Sequence, residues 1–108
     1  MIANWHKDAL PDCTMQQQFS KANREALEYL YAKSHNDKKG QLEEMADVYI
    51  VWVVLSMRYN IAMARIVCGW MEHFKSFDRI KKAVDEKMDI NAARKFVWKN
   101  GEWRHIEE

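Results

Sequence analysis

Glycine, proline and cysteine are scarce in this chain: its 108 residues include three Gly, one Pro and two Cys. So few turn-formers exclude a turn-rich β-sandwich and favour helices. Cys13 and Cys68 lie far apart, without C-x-x-C or zinc spacing, and read as reduced thiols of a cytoplasmic protein. An excess of one charge is lacking as well. The net charge of +1 offers no broad basic footprint for nucleic acid. The longest apolar run, Val48 to Leu55, is too short to span a bilayer and is followed by Arg58, so no membrane partner is expected. Trp5-His6-Lys7-Asp8 breaks the N-terminus before a secretory apolar core can form. Neither Gly-x-x-x-x-Gly-Lys nor Gly-x-Gly-x-x-Gly occurs, which removes the common nucleotide folds. What is there is globular in composition, 48% apolar and 31% charged, and sized for one domain over residues 1–108.

The apolar spacing predicts helices almost throughout. Ile2, Trp5, His6 and Ala9 give a short amphipathic helix ending at Leu10-Pro11-Asp12. Thr14 to Gln17 has the form of a capping box and starts a second helix, expected to reach about Lys33. Gln18, Lys21, Glu25 and Glu28 share one face of it; Phe19, Ala26 and Leu30 share another, with Leu27 and Tyr31 between. The polar stretch Ser34 to Gly40 reads as a loop. A third helix is expected from Gln41 or Leu42 to about Tyr59; its β-branched run suits a strand, but the segment is too long and opens on helix-favouring residues. Apolar on all sides from Val48, it must be covered everywhere, which points to a subunit interface. Helical spacing continues from Asn60 to Phe74, and whether this joins the third helix is not readable. A last helix is expected over Phe77 to Phe96, its stripe Phe77, Ile80, Val84, Met88 and Asn91 flanked by Lys87 and Arg94. Asn100-Gly101 then signals a hairpin turn. The expected fold is all-α: a compact bundle of four to five helices with a short C-terminal β-hairpin, dimeric or higher.

The chemistry-bearing pattern is two acidic pairs, Glu25-x-x-Glu28 and Glu44-x-x-Asp47, each on one helix face and separated by one loop. Helices joined by a short loop pack antiparallel, which gathers the four carboxylates. Together they repel unless cations are present: either a metal ion, or Lys and Arg side chains. Oxygen-only ligands suit Mg²⁺ or Mn²⁺ and do not suit zinc or copper. Neither pair has the Glu-x-x-His of di-iron bundles. Lys87, Asn91 and Arg94 suit phosphate oxygens, unless the two cations merely extend to solvent.

Leu10-Pro11-Asp12-Cys13-Thr14, Gln18-x-x-Lys21, Glu25-x-x-Glu28, Glu43 to Trp52, and Lys87-x-x-x-Asn91-x-x-Arg94 followed by the Gly101 and His105 segment together carry a resemblance. The chain resembles the all-α nucleoside triphosphate pyrophosphohydrolases of the MazG type, in particular their small phage-like members. The likeness spans most of the chain; Asn60 to Arg79 matches little. It implies Glu25, Glu28, Glu44 and Asp47 as Mg²⁺ ligands, with Glu25 and Glu44 catalytic, and Lys21, Lys87, Asn91 and Arg94 toward the substrate. It implies cleavage of a nucleoside triphosphate to monophosphate and pyrophosphate, by a homodimer or homotetramer. Glu25 or Glu43 would orient or deprotonate the attacking water. One departure stands out: where the family often has Glu-Glu, this chain has Arg24-Glu25. The alternatives are an inert helical interaction protein, its acids paired with Lys21, Lys87 and Arg94, and a hydrolase of another phosphorylated nucleotide such as an alarmone.

Overall fold

Thr14 starts a helix as the sequence predicts. Its Oγ1 accepts from the Gln17 amide at 3.1 Å, and the Gln17 side chain accepts from the Thr14 amide at 2.9 Å. This satisfies two amide donors that the first turn leaves open. The computed structural model describes residues 2–94, 96–99 and 102–105. Five helices make up its compact, all-α body: α1 (Ile2–Ala9), α2 (Met15–Ser34), α3 (Lys38–Met57), α4 (Ala62–Glu72) and α5 (Phe77–Ala93). Two short strand segments follow, Phe96–Lys99 and Glu102–His105. Asn100 and Gly101, the expected hairpin turn, lie outside the described residues.

Between α2 and α3 the connection is much shorter than the expected loop. Only His35, Asn36 and Asp37 separate the helices, and Asn36 adopts φ 54°, a left-handed conformation that Asn tolerates better than most residues. The Asp37 carboxylate then accepts from the Gly40 amide at 2.8 Å, so α3 begins at Lys38 and Gly40 sits inside its first turn. The third helix also stops earlier than expected, at Met57. Asn60, at φ 57°, turns the chain, and α4 is a separate helix. The last helix ends at Ala93 instead of Phe96.

At the centre lies α3. Ala46 and Ile50 pack with Ile80, Ala83 and Val84 of α5, and Tyr49 meets Phe77 edge-on at 5.4 Å between centroids. On another side, Val51 and Leu55 pack with Ala22 of α2 and Ala64 of α4. Val51 and the run Val53 to Ser56 are buried by this chain's own helices. The apolar run of α3 is therefore the core of one chain, and burying it takes no second subunit. No described helix is long and apolar enough to cross a membrane.

On α2 the usual amphipathic arrangement is reversed. Gln18, Ala22, Glu25 and Ala32 face inward, while Phe19, Ala26, Leu27, Leu30 and Tyr31 face out. A helix that turns carboxylate and amide groups into the protein needs a reason beyond core packing.

Candidate metal centre

The tight α2–α3 connection produces the site. In an antiparallel helix pair, positions equally far from the turn lie side by side. Glu28 and Glu44 are equally distant in sequence from Asn36, and so are Glu25 and Asp47. The hairpin therefore sets Glu28 across from Glu44, and Glu25 across from Asp47.

Three of the four expected ligands converge. Glu25, Glu28 and Glu44 each offer an oxygen, and all three oxygens lie within 4.8 Å of one another. Glu25 is 9% exposed, and its Oε2 is buried without a hydrogen-bond partner; Glu44 Oε2 is also buried and unpartnered. Between carboxylates, a hydrogen bond exists only when they share a proton, so Glu28 can partner Glu25 and Glu44 only in a protonated state. The electrostatics follow from this crowding. Burial first, then the charges of Asp47 and Glu28, push Glu25 up to about 7. Burial and close contact with Glu28, with the Asp47 charge behind them, push Glu44 up to about 7 as well. The two titrate as part of one cluster and not as independent acids.

Asp47 departs from the expected set. Its Oδ2 accepts from Lys87 Nζ at 3.3 Å, with both side chains half-buried. Burial raises the Asp47 carboxyl, and Lys87 opposes the rise. Asp47 thus stands at the edge of the cluster, close enough to act on Glu25 and Glu44, while tied to α5. Lys21 lies within electrostatic reach of Glu25 and Asp47 from one turn before Glu25. Asn91 is half-buried and points its amide nitrogen toward Met88 sulfur at 3.9 Å. Arg94 is exposed, beyond the end of α5, and Glu43 is exposed on α3. The structure thus brings Lys87 to the acids and leaves Arg94 and Glu43 outside the cluster.

An acid cluster of this kind is costly without a cation. Two carboxylates that each hold a buried oxygen without a donor, converging with a third, fit a hard divalent ion, which takes oxygen ligands and tolerates water or phosphate in its remaining positions.

A second buried polar group, which the sequence did not assign, lies where α1 and the end of α3 meet the start of α2. His6 and Gln18 are each 2% exposed. Arg58, at the end of α3, donates toward His6 Nδ1 at 2.7 Å and to the carbonyls of Leu10 at 2.8 Å and Pro11 at 2.9 Å. Tyr59 hydroxyl donates to the Cys13 carbonyl. Nothing in the spacing announces these contacts, because they join residues separated by about half the chain. No protein-family model, curated protein or solved structure matches the chain.

Proposed function

We propose that the chain is a Mg²⁺-dependent nucleoside triphosphate pyrophosphohydrolase of the MazG-like all-α type. It would cleave between the α- and β-phosphates to give a nucleoside monophosphate and pyrophosphate. The observation that carries this reading is Glu25, a nine-tenths buried carboxylate with one oxygen lacking a donor, converging with Glu28 and Glu44. Carboxylates strongly perturbed by burial and like charge concentrate at functional sites.

Glu25, Glu28 and Glu44 would hold the ion, with Asp47 beside them. Mn²⁺ satisfies the same oxygen donors as Mg²⁺. When bound, a divalent ion neutralises phosphate charge and acidifies a water molecule. The chain's own residues do the rest. Lys87 meets phosphate oxygens as a point charge, and Lys21 adds a second cation from α2. Asn91 and Arg94 extend the substrate-facing side of α5 beyond Lys87. Glu25 or Glu44 orients the attacking water and accepts its proton. The working unit in this reading is a cytoplasmic homodimer or homotetramer.

One observation favours a second reading. The Lys87–Asp47 ion pair is what an inert helical interaction protein would use to balance its acids. A single experiment separates the two: a panel of ribo- and deoxynucleoside triphosphates with Mg²⁺ or Mn²⁺, monophosphate and pyrophosphate being identified as products. The enzyme reading expects pyrophosphate release that Glu44→Gln abolishes while the circular dichroism spectrum is unchanged. It fails if neither ion supports release nor raises the melting temperature. Turnover of an alarmone alone would move the substrate class and keep the site.

A further inference from the structure

We infer that two copies of this chain pair through α2, antiparallel, with the two-fold axis crossing at Leu27. The inference deepens the oligomer part of the function proposed above and rests on it; it does not rest on the metal chemistry.

The outer face of α2 carries an apolar stripe at helical spacing: Met15, Phe19, Ala26, Leu27, Leu30 and Tyr31. Exposed polar residues interrupt it, Gln16 and Ser20 near its start and Asn23 at its middle. Leu27 and Tyr31 are both 66% exposed, Leu30 is 56% exposed and Met15 44%. Together the six leave on the order of 500 Å² of surface on one helix, most of it apolar, in the size range that marks an interaction site. A stable interface removes about 800 Å² from each partner, of which about 65% is apolar in homodimers. One such stripe therefore supplies roughly the apolar area that a homodimer needs.

The order of side chains along the stripe selects a second copy as the occupant. In an antiparallel pair crossing at Leu27, Leu27 of one copy meets Leu27 of the other. Asn23 then faces Tyr31 of the other copy, an amide opposite a phenol hydroxyl, and this happens once on each side of the axis. Asn23 at the middle of the stripe thus finds a polar partner in the same stripe, as a self-complementary interface requires. Phe19 falls opposite His35, which stacks on Tyr31 at 4.1 Å between centroids, so an aromatic residue meets an aromatic pair. The other exposed apolar stripe, Met63, Ile66, Trp70 and Phe74, lies on and just beyond α4, which has only 11 residues. That helix buries the apolar Ala64, Cys68 and Met71 on its inner face. On α2 the inner face is occupied by the polar site, and the apolar face is exposed among the described residues.

Sedimentation or light scattering would measure the assembly. The expected mass of the wild type is twice 12.9 kDa or a multiple of it. Leu27→Glu is expected to halve that mass with no loss of helical circular dichroism, since the side chain is exposed in the single chain. Ile66→Glu on α4 should leave the mass unchanged. Leu27→Cys should form a symmetric inter-chain disulfide on mild oxidation, because only residues at the crossing bring two copies within disulfide reach. Phe19→Cys should not cross-link to its copy. In a mixture, chains carrying Asn23→Cys should cross-link to chains carrying Tyr31→Cys. A monomeric wild type overturns the inference, as does an assembly that survives Leu27→Glu or that dissociates only with Ile66→Glu. Cross-linking through position 19 in place of 27, or none between positions 23 and 31, overturns the antiparallel register. Mg²⁺-dependent turnover is read separately, so loss of the interface and loss of the catalytic reading are distinguishable.

Discussion

Glu25 concentrates the conflict in the site. It is buried on α2 with Glu28 and Glu44 close by and Asp47 across the hairpin, and its carboxyl is pushed up to about 7. A raised acid binds its proton more tightly in the folded state than in the unfolded one. Its stabilising contribution is therefore full at pH below the ordinary value of 4.5 and is lost as pH rises toward 7. Glu25→Gln removes the charge and leaves an amide that Glu28 can accept from. In the metal-free protein at pH 8 the variant is expected to gain about 1 kcal/mol, or roughly 4–8 °C in melting temperature. That gap should narrow as the pH falls below 4.5, where wild-type Glu25 is also neutral. Added Mg²⁺ should raise the melting temperature of the wild type and do much less for the variant, which should not turn over nucleotide. Thermal unfolding followed by circular dichroism, with and without Mg²⁺, reads all of this. A variant that is less stable than the wild type at pH 8 would show that Glu25 is a structural group and not a strained one. These acids were legible in the sequence because they come as pairs at helical spacing. Glu25's burial was not, because the same spacing also describes an exposed face.

Helix starts and stops decide which of those acids meet. The sequence showed the capping box of α2, since both of its partners are local. It hid the start of α3, since Gly40 resembles loop punctuation and only the Asp37–Gly40 hydrogen bond reveals a cap. It also hid the α3–α4 break, which depends on one left-handed Asn60. Gly40 has a particular reason to be glycine: a Cβ there would overlap the Asp37 carboxylate. Alanine would expel that capping group, at a cost of about 1 kcal/mol. Alanine also gains about 1 kcal/mol over glycine in a helix. The two effects nearly cancel, so Gly40→Ala alone is expected to change stability by only a few tenths of a kcal/mol. The cancellation shows in a double-mutant cycle. Asp37→Ala should cost about 1 kcal/mol in the wild type and almost nothing with alanine at position 40. Urea unfolding of the four proteins measures it. Additive costs would mean that Asp37 keeps its cap when a methyl group is present.

Around the central α3, the helices are held by different means. Apolar packing joins α3 to α4 and α5, and apolar packing with the acid cluster joins it to α2. The eight-residue α1 is too short to be stable alone and depends on Arg58. That guanidinium serves as a cap for α1: it reaches the carbonyls of His6, Leu10 and Pro11, where the helix dipole favours a cation. It also reaches His6 Nδ1, which keeps the imidazole neutral. Burial, then Arg58, then Lys21 lower the His6 pKa to about 4 from 6.5. A lowered base binds its proton less tightly when folded, so its contribution is full above pH 6.5 and is lost as pH falls toward 4. Docking of α1 should therefore weaken over that interval while the remaining helices hold. Arg58→Met removes the cap and leaves three carbonyls without it, at an expected cost of about 2–4 kcal/mol, discounted for the partly exposed end of the fork. Arg58→Lys should recover less than half, because an ammonium cannot span three carbonyls and an imidazole. Hydrogen exchange, corrected for its intrinsic pH dependence, locates the effect. In Arg58→Met, protection should fall over residues 2–13 and persist in α3 and α5. In the wild type the same residues should lose protection as the pH falls from 6.5 to 4, and replacing His6 by Gln should flatten that response. Protection lost equally from every helix would mean that α1 unfolds with the whole molecule, and that the Arg58 cap belongs to the global stability of the core.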